Sequence, residues 1–241
     1  MSLTIASHEF KARCYALVPC AGVGERAGVG GPKQYHPVAG QAVVAHTLAA
    51  LGAVVRIEAT LVVLSPEDAV FEQHAPGFEG LKGWVARVGG ASRAESVANG
   101  LNELLVRGAQ PHDWVLVHDA ARCLITPAQI NALIDACQGD AVGGLLALKL
   151  PDTLKLEQGG RVAATVDRSD KWLAQTPQMF RLGDLQTALH TAGEAVTDEA
   201  SAMEFMGQAP LLVEGSAQNF KVTYPQDFAL AQAVLAARTQ E

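Results

Sequence analysis

Short, nearly unbroken apolar runs alternate along the chain with longer segments whose apolar positions recur at helical spacing. A short apolar run bounded by turn-forming residues reads as a buried strand, and recurrence every third or fourth position reads as the buried stripe of a helix. The runs predict strands over Cys14 to Pro19, Glu58 to Leu64, Trp84 to Val88, Trp114 to His118, Ala141 to Leu150 and Leu211 to Val213. The segments between them predict helices at about Gln41 to Leu51, Pro66 to His74, Arg93 to Arg107, Pro127 to Cys137, Leu182 to Ala192, Glu199 to Met206 and Pro225 to Arg238. Thr126-Pro127 supplies a helix cap and then proline at the first helical position, while Ser65-Pro66-Glu67-Asp68 places carboxylates where a helix dipole favours them. Strand and helix in turn predict the α/β class: a Rossmann-like three-layer sandwich around a mostly parallel central sheet.

One stretch departs from this rhythm. Asp152 to Asp167 reads DTLKLEQGGRVAATVD, with alternating apolar positions on both sides of Gly159-Gly160, the signature of a β-hairpin. A lone two-stranded hairpin is marginal in water, so this one predicts a packing partner, in its own domain or in a neighbouring subunit. With no repeat or linker in the sequence, residues 1–13 read as an N-terminal extension and 14–241 as a single domain with a hairpin arm at about 151–168.

Composition narrows the classes. Of 241 residues 49% are hydrophobic and 18% charged, which fits a folded globular chain and excludes a disordered one. No apolar run approaches the roughly 18 residues of a membrane span. Lys11 and Arg13 ahead of Tyr15 to Val18 imitate a signal peptide only until Pro19 ends the run, so a cytoplasmic location is expected. Cys14, Cys20, Cys123 and Cys137 lack metal-ligand spacing and read as reduced thiols. The formal net charge of -7 excludes a general nucleic-acid or anionic-membrane binder, so a phosphate ligand must be met by a local cluster of cations.

The segment after the first strand is the candidate for that cluster. Ala21, Gly22, Gly24, Arg26, Gly28, Gly30, Gly31 and Pro32-Lys33-Gln34 combine glycines with two cations, and glycine lets backbone amides approach an anion without a Cβ between them. Gly22-x-Gly24-x-x-Ala27 formally satisfies the dinucleotide fingerprint, but the later glycines forbid the helix that must begin there, and no second strand follows at the required distance. A Walker A loop fails as well, because Lys33 lies between Pro32 and Gln34. What remains is a long loop suited to closing over a triphosphate. Asp119, just beyond the strand ending at His118, is placed at a carboxyl edge where it could hold Mg²⁺, cap a turn or pair with Arg122. Gly89-Gly90-Ala91-Ser92-Arg93-Ala94-Glu95-Ser96 leads from strand to helix, either as an ordinary capped start or as a contact for a base or phosphate. Asp198 reads as the cap of the helix that follows it. None of the seven histidines is spaced for a metal site or a catalytic triad.

Taken in order, these motifs resemble one family. Gly22, Arg26 and Pro32-Lys33-Gln34-Tyr35 are followed by Gly89-Gly90-x-x-Arg93-x-x-Ser96-Val97 and His118-Asp119-Ala120-Ala121-Arg122. Asp152-Thr153-x-Lys155, Thr165-Val166-Asp167-Arg168, Gln175-Thr176-Pro177-Gln178, Thr197-Asp198-Glu199-Ala200-Ser201-Ala202 and Asn219-Phe220-Lys221-Val222-Thr223 complete the series over nearly the whole chain. The sequence resembles the cytidylyltransferases that act on 2-C-methyl-D-erythritol 4-phosphate in the non-mevalonate isoprenoid pathway. It departs from their pattern at Cys20, usually alanine, and Cys123, usually proline.

The resemblance implies a homodimer with exchanged arms that joins CTP to the phosphorylated polyol with Mg²⁺ as cofactor and releases pyrophosphate. It implies triphosphate binding by Arg26 and Lys33, nucleotide contacts at Ala21, Gly22, Gly24, Gly90, Ser96, Asp119 and Arg122, and a metal contact at Asp119. Acceptor contacts are implied at Asp119, Thr153, Thr197 and Lys221, with Arg168 delivered by the partner's arm and Lys221 placed in a strand before the last helix. A cytidylyltransferase for another polyol phosphate, such as ribitol 5-phosphate, is the nearest alternative, and a non-catalytic nucleotide-binding regulator is a more distant one. The chain stops soon after its last helix, so a single activity is expected rather than a fusion with the later cyclodiphosphate synthase.

Overall fold

The computed structural model describes residues 12–22, 28, 30–193 and 196–238. Among the described residues eleven strands are formed: β1 (Cys14–Pro19), β2 (Pro37–Val38), β3 (Gln41–Ala42), β4 (Ile57–Val63), β5 (Gly83–Ala86), β6 (Trp114–Val117), β7 (Gly143–Lys149), β8 (Leu154–Gln158), β9 (Arg161–Val166), β10 (Trp172–Arg181) and β11 (Leu211–Glu214). The helices are α1 (Val43–Gly52), α2 (Phe71–His74), α3 (Arg93–Val106), α4 (Pro127–Cys137), α5 (Leu182–Ala192), α6 (Glu199–Phe205) and α7 (Pro225–Arg238).

Seven strands make one sheet in the order β11-β7-β10-β6-β1-β4-β5. All neighbours run parallel except β10, which is antiparallel to both β6 and β7. This is the expected Rossmann-like α/β sandwich with a mostly parallel sheet. Its central strands are covered on both faces, which explains their unbroken apolar runs. Ala16, Val18, Val62 and Leu116 pack under α1 and α4 through Leu48, Leu51, Ile130 and Ile134. Tyr15, Leu17, Leu61 and Val117 pack under α3 and α5 through Val97, Leu101 and Leu185. Gly100 sits where α3 crosses the sheet, and a Cβ there would come within 2.7 Å of both Leu17 and Val63. The ~1 kcal/mol that glycine costs a helix is set against that close approach.

Several sequence expectations are corrected. The helix expected from Pro66 shrinks to α2, because Asp68 accepts from the Val70 and Phe71 amides and caps the chain two to three residues later. Gln41 and Ala42 pair with Val38 and Pro37 instead of opening α1. Lys221 lies outside any strand. β10 was not expected, and its pairing with β7 is interrupted between Ala174 and Gln178, where Pro177 has no amide to donate. β8 and β9 form the expected hairpin, paired with each other and separate from the main sheet. No helix among the described residues is long and apolar enough to cross a membrane.

Candidate active site

The chain leaves β1 toward β4 and β5 on one side and returns to β6 on the other, so the sheet reverses direction between β1 and β6. Open α/β sheets bind ligands beyond the strand ends at such a reversal. A cavity of about 420 Å³ lies there. It is floored by Pro19 to Gly22 at the end of β1 and Asp119 to Ala121 after β6, and walled by Lys33-Gln34, the Gly90 to Ser96 turn and Lys221.

Local chemistry explains how each wall is held. The Gln34 side-chain amide donates to the Cys20 and Gly22 carbonyls, tying the far end of the glycine-rich loop back to its start. The Lys33 ammonium donates to the Val222 carbonyl at 2.8 Å, next to Lys221. Gly89 passes so close to Ala21 that an added Cβ would lie 2.4 Å from the Ala21 Cβ, so only glycine fits. Beyond it the Ser96 hydroxyl accepts from the Gly90 amide and donates to the Ser92 carbonyl, fixing the turn into α3.

Asp119 is the hub. Its Oδ1 accepts from Arg93 Nε at 2.9 Å, its Oδ2 accepts from Lys221 Nζ at 2.9 Å, and Arg122 Nε stands 3.6 Å from Oδ2. Burial alone raises the Asp119 carboxyl, but Arg93, Lys221 and Arg122 outweigh it and hold it well below the usual carboxylate range. Arg122 is pinned by the Asn219 and Ala174 carbonyls, and burial pushes its guanidinium down. Arg93 also forks onto Glu199, Nη1 to Oε1 at 2.6 Å and Nη2 to Oε2 at 3.0 Å. Burial works against the Arg93 charge, and Glu199 and then Asp119 override it and raise the group.

His118, one residue before the hub, is fully buried. Its Nε2 faces the Arg122 carbonyl at 3.2 Å, so that nitrogen carries the proton, and Nδ1 accepts from the Thr176 hydroxyl at 3.0 Å. The same hydroxyl accepts from the Asp119 amide. Burial pushes His118 down to about 4, which leaves a neutral bracket between β6 and β10 and no proton shuttle.

The structure therefore gathers Ala21, Gly22, Lys33, Gly90, Ser96, Asp119 and Lys221 around one cavity, with Arg122 directly behind Asp119. Gly24 and Arg26 lie outside the described residues. Thr197 is exposed at the start of α6, where its amide donates to the Ser201 hydroxyl, and Asp198 caps that helix by accepting from the Ser201 amide. Thr153 and Arg168 are exposed at the base of the hairpin and do not line this cavity. Sequence reasoning missed Arg93 and Glu199 as site residues. Their only sequence signal was the motif around each. Cys20 and Cys123, the two departures from the family pattern, are buried, and burial pushes their thiols up to about 12 and about 11.

Among the described residues no group of three or more His, Cys, Asp or Glu is placed to hold a metal ion. Among the described residues Asp119 is the single carboxylate lining the cavity, with Arg93 hydrogen-bonded to Oδ1 and Lys221 to Oδ2. A carboxylate offers about four lone-pair positions, so Asp119 retains acceptor capacity. One carboxylate beside a polyphosphate suits Mg²⁺, which takes oxygen ligands and is commonly bound through one or two carboxylates plus phosphates.

A Rossmann-like sheet with Lys33, Arg93 and Lys221 lining the cavity at its reversal point defines a polyphosphate-binding α/β protein of the nucleotidyltransferase class. The family model "IspD: 2-C-methyl-D-erythritol 4-phosphate cytidylyltransferase" matches residues 14–237, and the chain belongs to that family. It is 55% identical over 227 residues to the 2-C-methyl-D-erythritol 4-phosphate cytidylyltransferase of Chromobacterium violaceum, covering 93% of this chain and 99% of the relative. It is 66% identical over 227 residues to the bifunctional enzyme IspD/IspF of Albidiferax ferrireducens, covering 94% of this chain and 54%, about half, of that relative. A crystal structure of 4-diphosphocytidyl-2C-methyl-D-erythritol synthase superposes with a TM-score of 0.83 at 41% identity, over 93% of this chain and 99% of that one.

Proposed function

We infer that this chain transfers a cytidylyl group from CTP to 2-C-methyl-D-erythritol 4-phosphate, giving 4-diphosphocytidyl-2-C-methyl-D-erythritol and pyrophosphate. The observation that carries the reading is the cavity at the β1/β6 reversal, lined by Lys33, Arg93 and Lys221 around Asp119 in a chain of this family. An oxygen of the acceptor's phosphate attacks the α-phosphorus of CTP, the bond to the bridging oxygen breaks, and that electron pair leaves with pyrophosphate. A phosphomonoester has its second pKa near 6, so the nucleophile is already mostly dianionic at pH 7 and needs no general base. Neutral His118 agrees with that economy.

The obstacle is repulsion between an incoming anion and a polyanion. Opposite charges about 4 Å apart attract by about 4 kcal/mol at an effective dielectric of 20, so a few fixed cations offset it. In this reading Lys33 and Arg26 hold the triphosphate, while Ala21, Gly22, Gly24, Gly90 and Ser96 shape the nucleotide seat. Asp119 and Arg122 stand between nucleotide and acceptor, and Lys221 and Thr197 face the acceptor. Mg²⁺, when bound to the triphosphate with Asp119 as its protein oxygen ligand, supplies further charge neutralisation.

Thr153 and Arg168 complete the acceptor site from the hairpin of a second copy, in a homodimer. Support comes from the hairpin itself: Leu156 is 55% and Val162 65% exposed on a two-stranded element of a kind that is marginal without a partner. Pyrophosphate release across the four common nucleoside triphosphates and a panel of phosphorylated polyols tests the reaction. Release is expected only with CTP and most rapidly with 2-C-methyl-D-erythritol 4-phosphate. Preference for ribitol 5-phosphate would reassign the acceptor, and no release with any pair would remove the enzymatic reading.

A further inference from the structure

Glu199 is a carboxylate with 1% of its surface exposed, and the nucleotide chemistry above makes no use of it. Both its oxygens are taken by Arg93, a residue 106 positions earlier in the chain. A buried ion pair is weak evidence of stabilisation, since well-packed apolar residues of the same volume often do as well. What such a pair specifies is direction. Bidentate pairing fixes the plane of the guanidinium, and here it leaves Nε as the nitrogen that reaches Asp119 Oδ1.

The two cations in hydrogen-bond contact with Asp119 thus differ in kind. Arg93 is held from behind by a second carboxylate, whereas the Lys221 side chain is 35% exposed and has Asp119 as its salt-bridge partner. When Lys221 turns to an acceptor phosphate, Asp119 would be left with only the more distant Arg122 unless Arg93 stayed in place. The pair also joins two walls of the site. Arg93 opens α3, after the Gly90 turn, and Glu199 opens α6, two residues after Thr197. The start of α6 is itself bolted to β10, because the Gln178 side chain donates to Asp198 and accepts from the Ala200 amide.

We propose that Glu199 is a positioning residue which, by holding both terminal nitrogens of Arg93, keeps Nε on Asp119 and so releases Lys221 for the acceptor's phosphate. The proposal rests on the cytidylyl-transfer reading. Loss of the Glu199 charge frees the Arg93 fork to pair with both oxygens of Asp119, and Lys221 then no longer meets the acceptor in register.

The test is Glu199→Gln, Arg93→Lys and their combination, assayed by pyrophosphate release with CTP and 2-C-methyl-D-erythritol 4-phosphate, and by calorimetric CTP binding. For Glu199→Gln, kcat/KM for the acceptor is expected to fall about 10- to 100-fold, the scale of a small misplacement in a reacting pair, while CTP affinity stays within about threefold. Arg93→Lys should show the same acceptor defect, and the double variant should be little worse than the weaker single, since both remove one interaction. An acceptor kcat/KM within about twofold of wild type overturns the proposal. So does a parallel loss of CTP affinity, which would mark a structural support for the whole pocket, and so does additivity in the double variant. Should Glu199→Gln not fold, Arg93→Lys, which retains the charge, decides by the same acceptor criterion. An inactive wild type overturns the reaction and this inference together, whereas an active wild type with indifferent variants overturns this inference alone.

Discussion

A single carboxylate facing three cations decides the character of the pocket. Asp119 neutralises part of the charge on Arg93, Arg122 and Lys221 and keeps their side chains in place when no substrate is bound. Lys33 is set apart from that hub, on the Val222 carbonyl. Its assignment to the triphosphate predicts that Lys33→Ala lowers turnover by roughly 10²- to 10³-fold, as the loss of one transition-state donor does elsewhere. Near-normal turnover in folded Lys33→Ala protein would take the loop out of the mechanism. His118 carries a different prediction. Its ordinary pKa of 6.5 falls to about 4 on folding because of burial, so between those values the unfolded chain binds the extra proton. The stability from keeping His118 neutral is complete above pH 6.5 and is lost as pH falls toward 4, a change on the order of 3 kcal/mol. Asp119, whose carboxyl is depressed, loses its contribution only below its ordinary 3.8 and so acts outside this window. Urea midpoints at pH 7 and 4.5 should fall for wild type and fall less for His118→Gln; equal falls would place the acid sensitivity elsewhere. Lys33, Asp119 and Gly90 were legible in the sequence because each stands in a motif at a loop or strand end, and Lys221 was legible only through the family resemblance. Arg93 and Glu199 were not, since a cation at one helix start and an acid at another look like ordinary surface choices until 106 residues of chain bring them together.

At the scale of elements, periodicity located the strands buried on both faces and the long helices, because continuous apolar runs and capped amphipathic segments leave strong signals. Thr126 illustrates the point: its hydroxyl accepts from the Gln129 amide and Pro127 follows, as its position before the helix predicted. β10 left no comparable signal. Its middle holds Gln175, Thr176, Pro177 and Gln178, polar or amide-free residues that argue against a central strand. Their burial has a local cause. Gln175 donates to the Ser216 carbonyl, Thr176 brackets His118, and Gln178 anchors α6, so the polar groups are satisfied by neighbours far away in sequence. This strand therefore links the hub at the end of β6 to the segment before α7 through Asn219 and to the start of α6 through Asp198. Pattern reasoning works with one element at a time, and β10 is defined by what it joins.

For the whole molecule, the question is where a pocket ends. The chain bears a formal net charge of -7, yet Lys33, Arg93 and Lys221 crowd one cavity, so long-range repulsion of a polyanionic substrate gives way to attraction only at close range. Among the described residues Arg168 is an assigned cation that does not line this cavity, because it sits at the base of an exposed hairpin whose strands pair with each other. If the hairpin of one copy serves the body of another, each site of a dimer combines Lys33 from one chain with Arg168 from its partner. Lys33→Ala and Arg168→Ala proteins, each inactive alone, then complement when mixed. In a mixed dimer one site carries both defects and the other carries neither. Random exchange at equal amounts makes about half the dimers mixed, so about a quarter of all sites recover. Activity near that fraction, appearing at the rate at which subunits exchange, is the expected result. If exchange is demonstrated by mass and no activity returns, each chain builds its site alone and the hairpin has another purpose.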